Sequence, residues 1–176
     1  MALTKLNTSS LPSGSVLQVQ SVNKLDNQLI SGTTFADVMS VSITPTSTNS
    51  KILVMCDVNV SGSAASNSSS PSRYSAVKLF RDSTQIAVST DTNSSQTAVW
   101  FSSNQEESDG AGYNMKNSSG TFLDTPSTTS AITYKIQAGN TYATSSVTTI
   151  NMPSKTNNSS FVHKGTSTLT VMEIAG

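Results

Sequence analysis

The sequence predicts an all-β protein: an antiparallel β-sandwich, jelly-roll-like, of about ten short strands with a short extended N-terminal arm. Three observations predict it. Apolar and polar residues alternate at period two, most cleanly where Ile132, Tyr134 and Ile136 interleave with Thr133, Lys135 and Gln137. No window keeps the i, i+3, i+4, i+7 apolar spacing of a helix, and Ala, Leu, Glu and Lys never cluster. The apolar runs are short, and Ser-, Asn-, Gly- and Pro-rich connections separate them, as in sandwiches and barrels.

Taken in chain order, residues 1–14 stand apart. Leu3, Leu6 and Leu11 lie among polar neighbours, and Pro12 and Gly14 then break the chain. This segment is expected to be an arm that gains order by lying on another subunit, with Leu3, Leu6 and Leu11 as its partner-binding residues. Residues 15–176 are expected to form a single sandwich domain. Its first strands fall at 15–22, 35–44 and 51–60. In the last of these, Ile52, Leu53, Val54 and Met55 put apolar groups on both faces, which predicts a central strand covered on both sides. Further strands are expected at 74–81, 85–90, 97–102, 120–124, 132–137, 145–152 and 167–174, the last two rich in β-branched residues. The final strand is expected beside an early one, because an unpaired edge invites aggregation. The longest polar connections, 61–73, 103–119 and 153–166, read as surface loops, with the first two facing outward.

The 176-residue length suits one domain. Only 35% of residues are hydrophobic and 11% charged, while Ser, Thr and Asn make up 73 of 176. Such a composition is compatible with disorder, but here the apolar residues gather into periodic runs that can bury a core. Net charge is +0 and the isoelectric point about 6.5, with Lys and Arg scattered singly, so no nucleic-acid partner is expected. Near-zero charge also weakens repulsion between copies. No stretch reaches the ~18 consecutive apolar residues of a membrane span, so no membrane partner is expected. The apolar run within Met1–Leu6 is too short for a signal peptide, and the chain is expected to be made in a cytoplasm and to stay soluble.

Reaction centres are hard to assemble from these residues. Serine-type hydrolysis needs a general base, and the one histidine, His163, lies in a polar loop; no G-x-S-x-G elbow occurs. The one cysteine, Cys56, sits in an apolar strand and is expected to be a buried small apolar side chain. One Cys and one His cannot make a zinc site. Glu106, Glu107 and Asp109 cluster before Gly110, yet match no calcium loop and read as a solvated acidic turn. Asp82 and Asp124 fall at strand ends, where aspartate commonly bonds its own turn, and Asp57 is expected to be exposed at the far end of its strand. Trp100 and Phe101 read as inter-sheet packing. No catalytic, metal or cofactor-binding residue is expected, no cofactor is implied, and the chain is read as a non-enzyme.

Several segments resemble small virion structural proteins of aquatic tailed phages, of cyanophage type. They are the stretch from Leu11 to Gln20, ITPTSTNSKILVM (43–55), KLFRDST (78–84), FLDTPSTTSAITYKIQ (122–137) and STLTVMEIAG (167–176). They occur in the family's order and together span nearly the whole chain. The resemblance implies a jelly-roll sandwich that associates as a homotrimer, found on virions as a head-decoration protein or a tail-fibre tip, with no catalytic motif. A fibre needs a shaft of repeats or a coiled coil, and none fits here. The expected role is therefore a decoration (cement) protein on the virion head surface, whose partners are its own copies, the major capsid protein and other virion proteins. The alternative is a tail-fibre tip or receptor-binding head that recognises a host surface glycan through the long loops.

Overall fold

The structure, a computed structural model, describes residues 11–63, 74–91, 95–104, 113–141, 144–154, 160 and 162–176. In the front sheet, β1 (Val16–Lys24) pairs with β11 (Ser167–Ile174), β11 with β4 (Lys51–Ser63), and β4 with β8 (Lys116–Asp124), all antiparallel. The same sheet is extended by β2 (Gln28–Ser31) and β10 (Val147–Ile150), with β10 lying between β2 and the far end of β4. In the back sheet, β3 (Phe35–Ile43) pairs with β9 (Ile132–Gly139) and β9 with β5 (Tyr74–Arg81). The other side of β5 is shared by β6 (Thr84–Ile86) and β7 (Phe101–Asn104).

The registers explain why eleven strands make a simpler fold. β1 and β2 run as one row against β11 and β10, and both of those run against β4. Counting β1–β2, β6–β7 and β10–β11 once each leaves eight rows, ordered 1-8-3-6 in front and 2-7-4-5 behind. That is the strand order of a jelly roll. The final strand does lie beside an early one, since β11 is flanked by β1 and β4.

Period-two alternation builds the core. Ile52, Val54, Cys56, Val58 and Val60 point inward from β4, and Ile132, Tyr134, Ile136 and Ala138 answer from β9. Val77, Leu79, Leu169 and Val171 close the same layer. Each fully buried aliphatic side chain of this kind is worth about 1.5–3 kcal/mol of transfer free energy. Trp100 and Phe101, with ring centroids 5.2 Å apart, pack against this core under β8, as the sequence predicts. They are admitted there by Gly120: a Cβ at that position would lie 2.7 Å from the Trp100 ring.

Two buried carboxylates tie the layers together. Asp124 accepts hydrogen bonds from Arg81 Nη1 at 2.9 Å to each oxygen and from Tyr134 OH at 2.6 Å, so one carboxylate on the front sheet grips two strands of the back sheet. Burial, then the bond to Asp124, pushes the Tyr134 hydroxyl well above its ordinary range. Glu173 is wholly buried and fully partnered: Ser50 Oγ (2.6 Å), Gln18 Nε2 (2.6 Å), Thr46 N and Thr46 Oγ1 (both 2.7 Å) all donate to it. Burial alone would raise its pKa, but those donors outweigh burial and hold it below the ordinary value of 4.5. Glu173 thereby fastens the 44–50 connection to the end of the front sheet.

The structure corrects several expectations. β2 lies where no strand is predicted, because Gln28-Leu29-Ile30-Ser31 is too short to display a period. β6 stops at Ile86, and Ala87 follows with φ 54°, so 87–90 is not strand. β7 begins only at Phe101, β4 runs on to Ser63, and β8 starts at Lys116, earlier than the apolar residues suggest. Asp124 does not serve its own turn but the Arg81–Tyr134 clamp. Asp82, at φ 53°, likewise accepts from Thr133 N on β9. β4 is central as expected, yet it is not covered on both sides: its outward Leu53 and Met55 are only half-buried.

Candidate interaction surface

Each sheet has an outer face, and the registers allow it to be read row by row. On the back sheet, Asp37, Gln137 and Lys78 stand side by side, followed by Ser40, Lys135 and Phe80, then Ser42 and Thr133. These groups satisfy one another. Lys135 Nζ lies 3.3 Å from Asp37, Gln137 Nε2 donates to Asp37 at 2.7 Å, and the Ser42 and Thr133 hydroxyls are 2.8 Å apart. Two outward rings are capped by cations, with Lys78 Nζ 3.9 Å from the Phe35 centroid and Lys135 Nζ 5.5 Å from that of Phe80, while the Tyr74 ring at the start of β5 is exposed.

The front sheet's outer face differs along its length. At the β2–β10 end the chain itself covers β10 and β4, while Leu29 on the edge strand β2 stays 56% exposed. Asn151, buried at φ 62°, takes the chain out of β10: its side-chain amide donates to Lys24 O (2.8 Å) and Asp26 O (3.0 Å), and its Oδ1 accepts from Ser167 Oγ (2.6 Å). One residue thus bridges both interrupted rows. The segment that follows lies against β4, with Ser154 N donating to Ser61 Oγ at 3.1 Å and Ser154 Oγ to Gly62 O at 3.3 Å.

At the other end the face carries an apolar band. Val19, Met172, Leu53 and Leu123 form one continuous row across β1, β11, β4 and β8. Val16 and Ile174 flank this row on one side and Met55 on the other. Val16 (51%), Val19 (49%) and Leu123 (50%) are among the most exposed large apolar side chains. Across the next rows the band gives way to Ser21, Thr170 and Thr121, then to Asn23, Thr168, Asp57 and Ser119. Sequence reading missed this band. Its signal is the two-faced run at 52–55, which by sequence alone reads as a strand covered on both sides.

Of the residues predicted to bind partners, only Leu11 lies within the described structure; Leu3 and Leu6 lie outside it. Leu11 borders a hollow of about 250 Å³ at the tip of the front sheet, with Leu17, Asn49, Ala175 and Gly176. Here Gly14 N donates to Ala175 O, and Ala175 N to Ser15 O, so the chain enters β1 beside its own last residues. The acidic residues Glu106, Glu107 and Asp109 also lie outside the described residues, as do 64–73, 105–112, 155–159 and 161 of the long connections.

The chemistry-bearing residues that are described do not converge. Cys56 is buried, and burial, aided by the neighbouring Asp57 charge, pushes its thiol up to about 12. His163 and Asp57 are exposed. Among the described residues no three His, Cys, Asp or Glu side chains are placed to hold a metal ion, and no helix is long and apolar enough to cross a membrane.

Neither protein-family models nor curated proteins match this chain. The surface must therefore be interpreted from its own chemistry.

Proposed function

We propose that this chain is a non-enzymatic structural protein of a virus particle that decorates the head of a tailed phage as a homotrimer, bridging and stabilising the capsid shell. The observation that carries the assembly role is the contrast between the outer faces: one sheet satisfies its own polar groups, while the other leaves an apolar row across four strands. Contiguous exposed apolar patches commonly mark protein contacts. The assignment to a phage virion rests on the ordered resemblance of 11–20, 43–55, 78–84, 122–137 and 167–176 to small virion proteins, which are head-decoration proteins or tail-fibre tips. The head is preferred because this sequence holds no shaft of repeats or coiled coil. Attachment to the major capsid protein falls to the arm, through Leu3, Leu6 and Leu11.

Two measurements test this reading. Gold-labelled antibody against the protein should decorate virion heads; label confined to the tail would replace the head assignment with a fibre tip. Replacing Leu3, Leu6 and Leu11 together by Ser in the full chain should leave a folded trimer and reduce co-sedimentation with capsids at least tenfold. Unchanged co-sedimentation would remove the arm from the attachment mechanism.

A further inference from the structure

We infer that the apolar band of the front sheet, centred on Leu53 and Met55, docks against the same band of a second copy, face to face, with the two β4 strands antiparallel about a two-fold axis. The inference rests on the assembly reading above and names the occupant of that surface. What selects a second copy is the charge pattern of β4. Its outward residues read Lys51, Leu53, Met55 and Asp57, a cation and an anion flanking an apolar centre. Lys51 and Asp57 are both exposed, and among the described residues neither forms an ion pair.

Turning one copy by 180° about an axis perpendicular to the strand, between Leu53 and Met55, places Lys51 opposite Asp57 of the second copy, and Asp57 opposite its Lys51. Leu53 of each copy then lies against Met55 of the other at the centre, and the Val19–Met172–Leu53–Leu123 row of each copy lies on the Ser21–Thr170–Met55–Thr121 row of the other. The alternative two-fold, with the strands parallel, would stack Lys51 on Lys51 and Asp57 on Asp57. One residue pair therefore selects both the partner and its orientation. Self-complementarity of this kind is what an isologous contact requires.

The size of the patch sets its strength. Four strands about 4.8 Å apart and seven residues at about 3.3 Å each give a face of roughly 14 by 20 Å. Such a contact falls below the ~1,200–2,000 Å² of a standard stable interface, so the pairing depends on concentration. A monomer would pair to a dimer, and the proposed trimer would join a second trimer. In a lattice of many copies the weak contact is reinforced by its neighbours.

The test is sedimentation equilibrium of the full-length protein over a hundredfold concentration range, with the charge-swap variants Lys51→Asp, Asp57→Lys and the double variant. The wild type should double its mass as concentration rises. Each single swap places like charges opposite each other and should weaken the association at least tenfold. The double swap restores opposite charges and should recover it to within about threefold. Double-variant association as weak as the singles, or a wild-type mass that never doubles, would overturn the inference. So would loss of doubling in a Leu3→Ser/Leu6→Ser variant, which would make the arm the occupant of the row. A constant mass of three copies would leave the head-decoration reading intact, whereas label away from the head with mass doubling preserved would remove that reading and keep this contact.

Discussion

The outer faces of the two sheets are built from the same alternation and end in opposite conditions. On the back sheet every second residue of β9 is polar, and Lys135, Gln137 and Thr133 find partners on β3. On the front sheet the equivalent positions of β11 hold Thr168, Thr170, Met172 and Ile174, so the face changes from polar to apolar along a single strand. Both sheets bury equally regular inner faces. The difference teaches that period two fixes which residues face the core, while the composition of the other set determines whether a sheet needs a partner.

That comparison can be broken most severely from the inside. Glu173→Ala removes the acceptor for Ser50, Gln18 and Thr46 and should destabilise folding by about 3 kcal/mol or more in urea unfolding, since buried donors lose their partner. The Cys56 thiol, inert while buried, provides a second reading through its reaction with maleimide on unfolding. Because the folded-state pKa of Glu173 is depressed, its ionised form stabilises the fold fully above its ordinary value of 4.5. That stabilisation is lost as pH falls below it, so Glu173→Gln should flatten the acid limb of the stability profile. Gly120→Val would drive a side chain into the Trp100 ring and should cost about 2 kcal/mol, with a red shift in tryptophan fluorescence as the ring is displaced.

Outside the core the two faces should part company. Leu53→Asn with Leu123→Asn should change folding stability by less than about 1 kcal/mol, because both side chains are already partly exposed. The same pair should weaken self-association at least tenfold by sedimentation. On the back sheet, Asp37→Asn breaks an exposed ion pair and should shift stability by no more than about 0.5 kcal/mol, with association unchanged. If the back-sheet substitution matched the front-sheet one in its effect on association, the contrast between the faces would have no functional meaning.

Much of this was legible in the sequence because alternation is a local signal. The strands at 74–81 and 167–174 fall where their residues predict, and the inward positions of β9 are those of the Ile132-Tyr134-Ile136 pattern. What was not legible is long-range. The Asp124 clamp joins residues 43 and 10 positions away, and nothing near Asp124 announces Arg81 or Tyr134. The four donors of Glu173 lie between 123 and 155 positions from it. β8 was underestimated because its first half, Lys116-Asn117-Ser118-Ser119, has no apolar pattern and is strand only because β4 offers it a ladder. Of the apolar band only Leu53 and Met55 show locally, in the two-faced run at 52–55; the four members of the row come from four separate strands and meet only in register.

Solvent-accessibility labelling with a diffusible carbene, read by mass spectrometry on the protein in its assembled and dissociated states, tests most directly whether the front face is the one that meets partners. Assembly should protect Val19, Leu53, Leu123 and Met172 several-fold and leave Phe80 and Lys78 of the back sheet unchanged. Protection of the back-sheet residues with the front row still labelled would contradict the account.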